Sequence, residues 1–123
     1  MKAVLLISHG SHSAKTKVEV EQLIKNLRQM NDSCLWDYVF LEIEQPSISE
    51  GIERCLEKGA NEIVILLNFL NSGKHVDEDI PRIIREAKLK NPNARFYLSS
   101  PVGQHPKIKE LFMDLFKSLK EVA

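Results

Sequence analysis

Two histidines stand where a chain of this kind places reactive groups. His9 lies between a serine and a glycine in LLISHGS, residues 5–11, immediately after an apolar run. His75 lies in NFLNSGKHVDEDIP, residues 68–81, again just after an apolar run. Glu42 and Glu44, in FLEIEQP, follow an aromatic-rich segment. Neutral imidazole and carboxylate together suit divalent Co, Ni, Fe or Zn, and ligand type alone does not choose among these ions. An imidazole titrates near neutrality, so each histidine has the chemistry either to ligate an ion or to take up a proton.

For these groups to meet, their carriers must share one edge of a sheet. Ala3–Ile7 is a continuous apolar run, the pattern of a strand buried on both faces. From Ser13 to about Met30 the apolar residues Val18, Val20, Leu23, Ile24, Leu27 and Met30 recur mostly at helical spacing, and Asn31–Ser33 breaks the helix. Trp36–Ile43, rich in aromatic and β-branched residues, reads as a second strand. Glu42 and Glu44 then differ by two along it and share a face. Pro46 and Ser47 introduce a helix through Ile48, Ile52, Cys55 and Leu56 that Gly59 closes. Glu62–Leu67 is a third strand. Asp77, Asp79 and Pro81 mark the start of a third helix, the acids suiting its dipole and cap. Arg95–Leu98 is a fourth strand, and Pro106 starts a last amphipathic helix. The stripe of Phe112, Phe116 and Leu119 on that helix is core packing or a dimer face.

Four β-α units in succession predict an α/β fold: a four-stranded parallel sheet with helices on both faces and right-handed crossovers. In the doubly wound order 2-1-3-4, strands one and three are neighbours whose exit loops diverge. Ligands bind beyond the carboxyl ends of the strands at that switch point. His9 and His75 leave from those two strands, and a glutamate from strand two reaches the same edge.

Composition limits the alternatives. With 123 residues, 43% hydrophobic and 28% charged, the chain reads as one globular domain over residues 1–123. Basic and acidic residues balance at 17 each, which gives no electrostatic case for nucleic acid or an anionic membrane. The apolar runs are too short to span a bilayer, and no signal-peptide pattern follows Met1. Cys34 and Cys55 form no CxxC pair, so reduced thiols and a cytoplasmic location are expected.

The segments LLISHGS, FLEIEQPSISEGI, FLNSGKHVDEDIP and PVGQHPKI resemble, in order and spacing, the sirohydrochlorin cobaltochelatases of the short CbiX type, relatives of sirohydrochlorin ferrochelatase. The resemblance runs from about Val4 to Leu111 and implies a chelatase-like lobe that inserts a divalent ion into a tetrapyrrole in cobalamin- or siroheme-type biosynthesis. Co2+ comes first, with Ni2+ or Fe2+ as alternatives, the ion being a substrate and no organic cofactor being needed. The family's metal-binding and catalytic histidines carry over onto His9 and His75, and its acidic residue onto Glu42, as base or as a third, weakly held ligand. Sirohydrochlorin carries eight carboxylates. Main-chain amides near Gly10-Ser11 and Ser47, together with Lys74, suit them, while Gly10 and Gly73 permit unusual backbone angles beside a ligand. The family sets the acidic run beside the catalytic histidine, which leaves Glu78 or Asp79 open as a support for it. This chain has His12 where the family often has Arg, and Asn68 where it often has Pro. Larger class II chelatases face two lobes across a cleft, so a single lobe implies a homodimer with facing carboxyl edges.

Rival readings weaken on particular residues. A histidine phosphatase needs an Arg before the histidine, where Ser8 stands. A receiver domain needs an Asp at the end of strand three, where Asn68 stands. A flavodoxin-like module, for which SHGSHS is a candidate phosphate loop, and a non-catalytic metal carrier remain as alternatives.

Overall fold

Burial of β1 (Lys2–Ser8) at every position from Ala3 onward places it at the centre of a sheet. The computed structural model describes residues 1–123 and pairs β1 in parallel with β2 (Leu35–Phe40) on one side and β3 (Glu62–Leu67) on the other. β4 (Arg95–Pro101) adds to β3, which gives the expected order β2-β1-β3-β4. Four helices connect and flank the strands: α1 (Ala14–Met30), α2 (Ile48–Glu57), α3 (Ile80–Lys90) and α4 (Ile108–Lys117).

The pleat sends alternate side chains of β1 and β3 to opposite faces, and the two faces are covered unequally. On one, Leu5, Ile7, Ile63 and Ile65 are fully buried under Ile48, Ile52 and Cys55 of α2 and Ile80 of α3. Each such side chain contributes about 1.5–3 kcal/mol by leaving water. On the other, Leu6 and Phe40 pack against Val20 and Ile24 of α1. The inner members of this face on β3, Val64 and Leu66, remain half-buried.

Several boundaries move from the sequence reading. β2 ends at Phe40, so Leu41–Ile43 is bend rather than strand, and Glu42 and Glu44 no longer share a pleated face. β4 continues to Pro101, and α4 begins at Ile108, two residues after Pro106. Helical winding after β3 starts at His75, in a π-helical turn over His75–Asp79 that runs into α3. Asp79 therefore makes no capping bond. α4 buries none of its residues, so the Phe112, Phe116 and Leu119 stripe is not core.

Both cysteines are free. Cys55 is buried on the α2 face, and burial, with the Asp37 carboxylate adding to it, pushes its thiol up to about 11. A neutral-pH thiol reagent should therefore label the part-exposed Cys34 readily in the native protein, and Cys55 only after denaturation. Rapid labelling of both native thiols would contradict this packing.

Candidate metal centre

Backbone pairing continues past the strand ends and sets the site. Leu41 N–H donates to the Ser8 carbonyl at 2.9 Å, and Glu42 N–H to the His9 carbonyl at 3.1 Å, so the exits of β1 and β2 remain bonded. Gly10 lies against the same turn with φ +104°, and a Cβ there would stand 1.9 Å from the Glu42 carbonyl oxygen. Only glycine fits that approach, which explains why the chain follows its histidine with one. On the other side, Asn68 N–H donates to Ile7 O at 2.8 Å, and its side-chain amide donates to Ser8 Oγ at 3.0 Å, clipping the exit of β3 to that of β1.

His9, Glu42 and His75 meet here, each offering one ligand atom, all within 4.8 Å of one another. His9 Nε2 is 2.7 Å from Glu42 Oε1, and His75 Nε2 is 4.0 Å from the same oxygen. The two rings are 5.4 Å apart, tilted by 52°. All three side chains are about half exposed. Ligand atoms around one divalent ion lie about 2.0–2.2 Å from it. The observed set is therefore an open face that needs a small closure, not a finished cage.

Each ring has a second bond that orients it. His75 Nδ1 lies 2.8 Å from Asp79 Oδ2, an i,i+4 contact within the π-helical turn. With the Nδ1 hydrogen donated to that carboxylate, Nε2 keeps its lone pair toward Glu42, the arrangement that supports ligating histidines. His9 Nδ1 is 3.2 Å from the Gly10 carbonyl, which only accepts, so Nδ1 carries hydrogen. With hydrogen on Nδ1, His9 Nε2 is the nitrogen that faces Glu42 Oε1, at 2.7 Å.

Glu44 turns elsewhere. Its Oε1 accepts from Ser11 N–H at 2.7 Å, and a tight turn through Ile43, with φ 73°, separates it from Glu42. Glu44 N–H closes that turn on the Glu42 carbonyl at 2.8 Å. A β-branched residue at positive φ is strained, and here the strain aims two neighbouring glutamates at different targets. The Ser11 amide, expected to face a substrate anion, is thus bonded to Glu44, and that carboxylate against the SHGSHS loop opposes a flavin phosphate there. The Ser47 end of α2 is likewise closed on itself. Ser47 and Glu50 form a capping box, which holds the Glu50 carboxyl below its ordinary range. His12 is outside the cluster, lining a surface depression of about 450 Å3 with Ser11, Lys17 and Glu44. Gly73 and Lys74 are exposed beside His75. Of the acidic run, Asp79 touches the histidine, while Asp77 and Glu78 are exposed.

A parallel α/β sheet with two histidines and a carboxylate converging at its switch point has the donor set of a protein that handles a divalent metal ion. The CbiX family model matches residues 3–119, and the chain belongs to the CbiX family. It is 34% identical over 111 residues to a sirohydrochlorin cobaltochelatase of Priestia megaterium, covering 90% of this chain but 36% of that protein. It is 26% identical to a sirohydrochlorin cobaltochelatase of Methanopyrus kandleri, covering 95% of this chain and 96% of the other. In three dimensions it matches the cobalt complex of the sirohydrochlorin chelatase SirB from Bacillus subtilis subspecies spizizenii. That match has a TM-score of 0.85 and 26% identity over 94% of this chain and 50% of that one. The chain thus spans about a third to a half of some relatives and nearly the full length of another.

Proposed function

We propose that this protein is a chelatase that inserts a divalent ion, Co2+ first, into sirohydrochlorin. The convergence of His9, Glu42 and His75 on one open point carries this reading. His9 and His75 receive the metal as ligands. Insertion releases two pyrrole N–H protons; the Glu42 carboxylate is the acceptor nearest the ion for one of them, and the other passes to solvent at this open face. Half-exposed ligands suit a metal in transit, because an ion enclosed by four ligands could not be handed on. The reaction changes no oxidation state, so no organic cofactor is called for. Gly10, Ser11, Gly73 and Lys74 border the cluster where the carboxylates of the macrocycle would lie, with Lys74 supplying a cation and Ser11, whose amide is held by Glu44, offering only its hydroxyl. Free cysteines suit a cytoplasmic setting.

Residues 1–123 act in this reading as one chelatase-like domain, a lobe with a single wall of the cleft. A broad, flat tetrapyrrole needs a second wall, which a twofold homodimer with facing carboxyl edges supplies.

Anaerobic incubation with sirohydrochlorin and Co2+, Ni2+ or Fe2+ in turn, followed by absorbance, tests the activity. Acceleration over the protein-free rate, largest with Co2+, is expected. No acceleration with any of the three ions would overturn the reading. Asp79→Asn, which weakens the hold on His75 Nδ1, should reduce Co2+ affinity by about 10-fold or more, read by titrating the visible Co2+ spectrum. An unchanged affinity would remove Asp79 from the site.

A further inference from the structure

Ser8 is the one polar residue among those buried in the chain. It ends β1, the central strand, on the face that carries Leu6. A hydroxyl in that position costs free energy unless it is bonded. The register of β1 on β3 pairs Ile7 with Leu67, and the next step along both strands sets Ser8 beside Asn68. The Asn68 side-chain amide supplies the bond, donating to Ser8 Oγ at 3.0 Å.

This pair stands where the two histidine-bearing segments part. His9 follows Ser8 directly, and Asn68 begins the loop 68–74 that delivers His75. Main-chain pairing between the two exits ends with Asn68 N–H on the Ile7 carbonyl, so the side-chain bond is their last hydrogen bond before the histidines. The Ser8 carbonyl also accepts from Leu41 N–H, one residue before Glu42. Ser8 therefore ties the exit of β2 by its main chain and that of β3 by its side chain.

The loop from Asn68 to His75 has little slack. Phe69 packs against the core beneath α2 and α3. Its carbonyl accepts from Gly103 N–H at 3.0 Å, and the Leu70 carbonyl from Gln104 Nε2 at 2.9 Å, both donors lying in the 3-10 turn Val102–Gln104 after β4. Gly103 approaches so closely that a Cβ would stand 2.0 Å from the Leu70 carbonyl oxygen. At the far end Asp77 N–H donates to the Gly73 carbonyl at 2.8 Å, spanning His75. A displacement of Asn68 relative to Ser8 is thus passed along a fastened loop to His75.

We propose that Asn68 and Ser8 are positioning residues whose side-chain bond sets the separation of His9 from His75, and with it the affinity of the cluster for its ion. Neither side chain belongs to the ligand set. The inference rests on the reading of His9, Glu42 and His75 as the metal site. An open, half-exposed face does not fix the spacing of its own ligands, so the strands that carry them must.

Co2+ affinity, read from the visible Co2+ spectrum, is compared for the unmodified chain, Asn68→Ala, Ser8→Ala and the double variant. Each single substitution should weaken binding about 5-fold and alter the Co2+ bands. The double variant should bind no more weakly than either single, because both remove the same bond. Val20→Ala, which opens core space on the same face away from the strand exits, is the stability control. It should lower the melting temperature and leave Co2+ affinity unchanged. Singles that bind Co2+ like the unmodified chain, losses that multiply in the double variant, or an equal loss in Val20→Ala would overturn the inference and leave the metal site standing. An unmodified chain that binds no Co2+ would overturn both.

Discussion

Replacing either His9 or His75 by alanine should lower the rate of metal insertion by at least ~10²-fold, the low end for removing a group that moves a proton. The two histidines occupy different strand exits, yet both direct Nε2 toward Glu42 Oε1, at 2.7 and 4.0 Å. Losing either leaves two donors, too few to hold a divalent ion in position beside the macrocycle. The double variant should be little worse than the singles, because ligands of one ion act as a unit. Stability should be almost unaffected, since both rings are close to half exposed and fill no core space. Steady-state insertion kinetics with thermal melts of each variant check both parts. Near-wild-type rates for both single variants would remove the cluster from the mechanism.

Glu42→Gln should cost about 10²-fold or more, whereas Glu44→Gln should leave the rate within a few-fold of wild type. The difference lies in what each carboxylate does. Glu42 faces both histidines with a carboxylate oxygen, and an amide there neither accepts a proton nor balances the charge of an ion. Glu44 accepts a main-chain hydrogen bond from Ser11, which a glutamine oxygen also accepts. Damage from Glu44→Gln with Glu42→Gln silent would mean that the turn through Ile43 presents the other glutamate to the metal.

The strand order and the meeting of His9 with His75 were legible because they follow from long-range pattern. Buried runs in alternation with amphipathic segments dictate a parallel sheet, and the switch point of such a sheet fixes which exits adjoin. Glu42 could be preferred to Glu44 only through the family resemblance. The physical discriminator is a positive φ at Ile43, a conformation that no propensity assigns to isoleucine. Asp79 resembled a cap because three acids before a proline fit a helix start. The π-helical turn begins earlier and converts the same residue into a partner for His75. The clip from Asn68 to Ser8 has no local signal, since it joins side chains that only the sheet brings together. Amphipathicity identified α4, but periodicity does not say whose surface its apolar face meets.

The central claim is that His9, Glu42 and His75 hold the incoming ion. Crystals of the protein soaked anaerobically with Co2+, measured at the cobalt absorption edge, test it most directly. The account predicts an anomalous peak about 2.0–2.2 Å from Nε2 of both histidines, with a Glu42 oxygen completing the face. A peak at the exposed Asp77–Glu78 carboxylates with none between the histidines would contradict it.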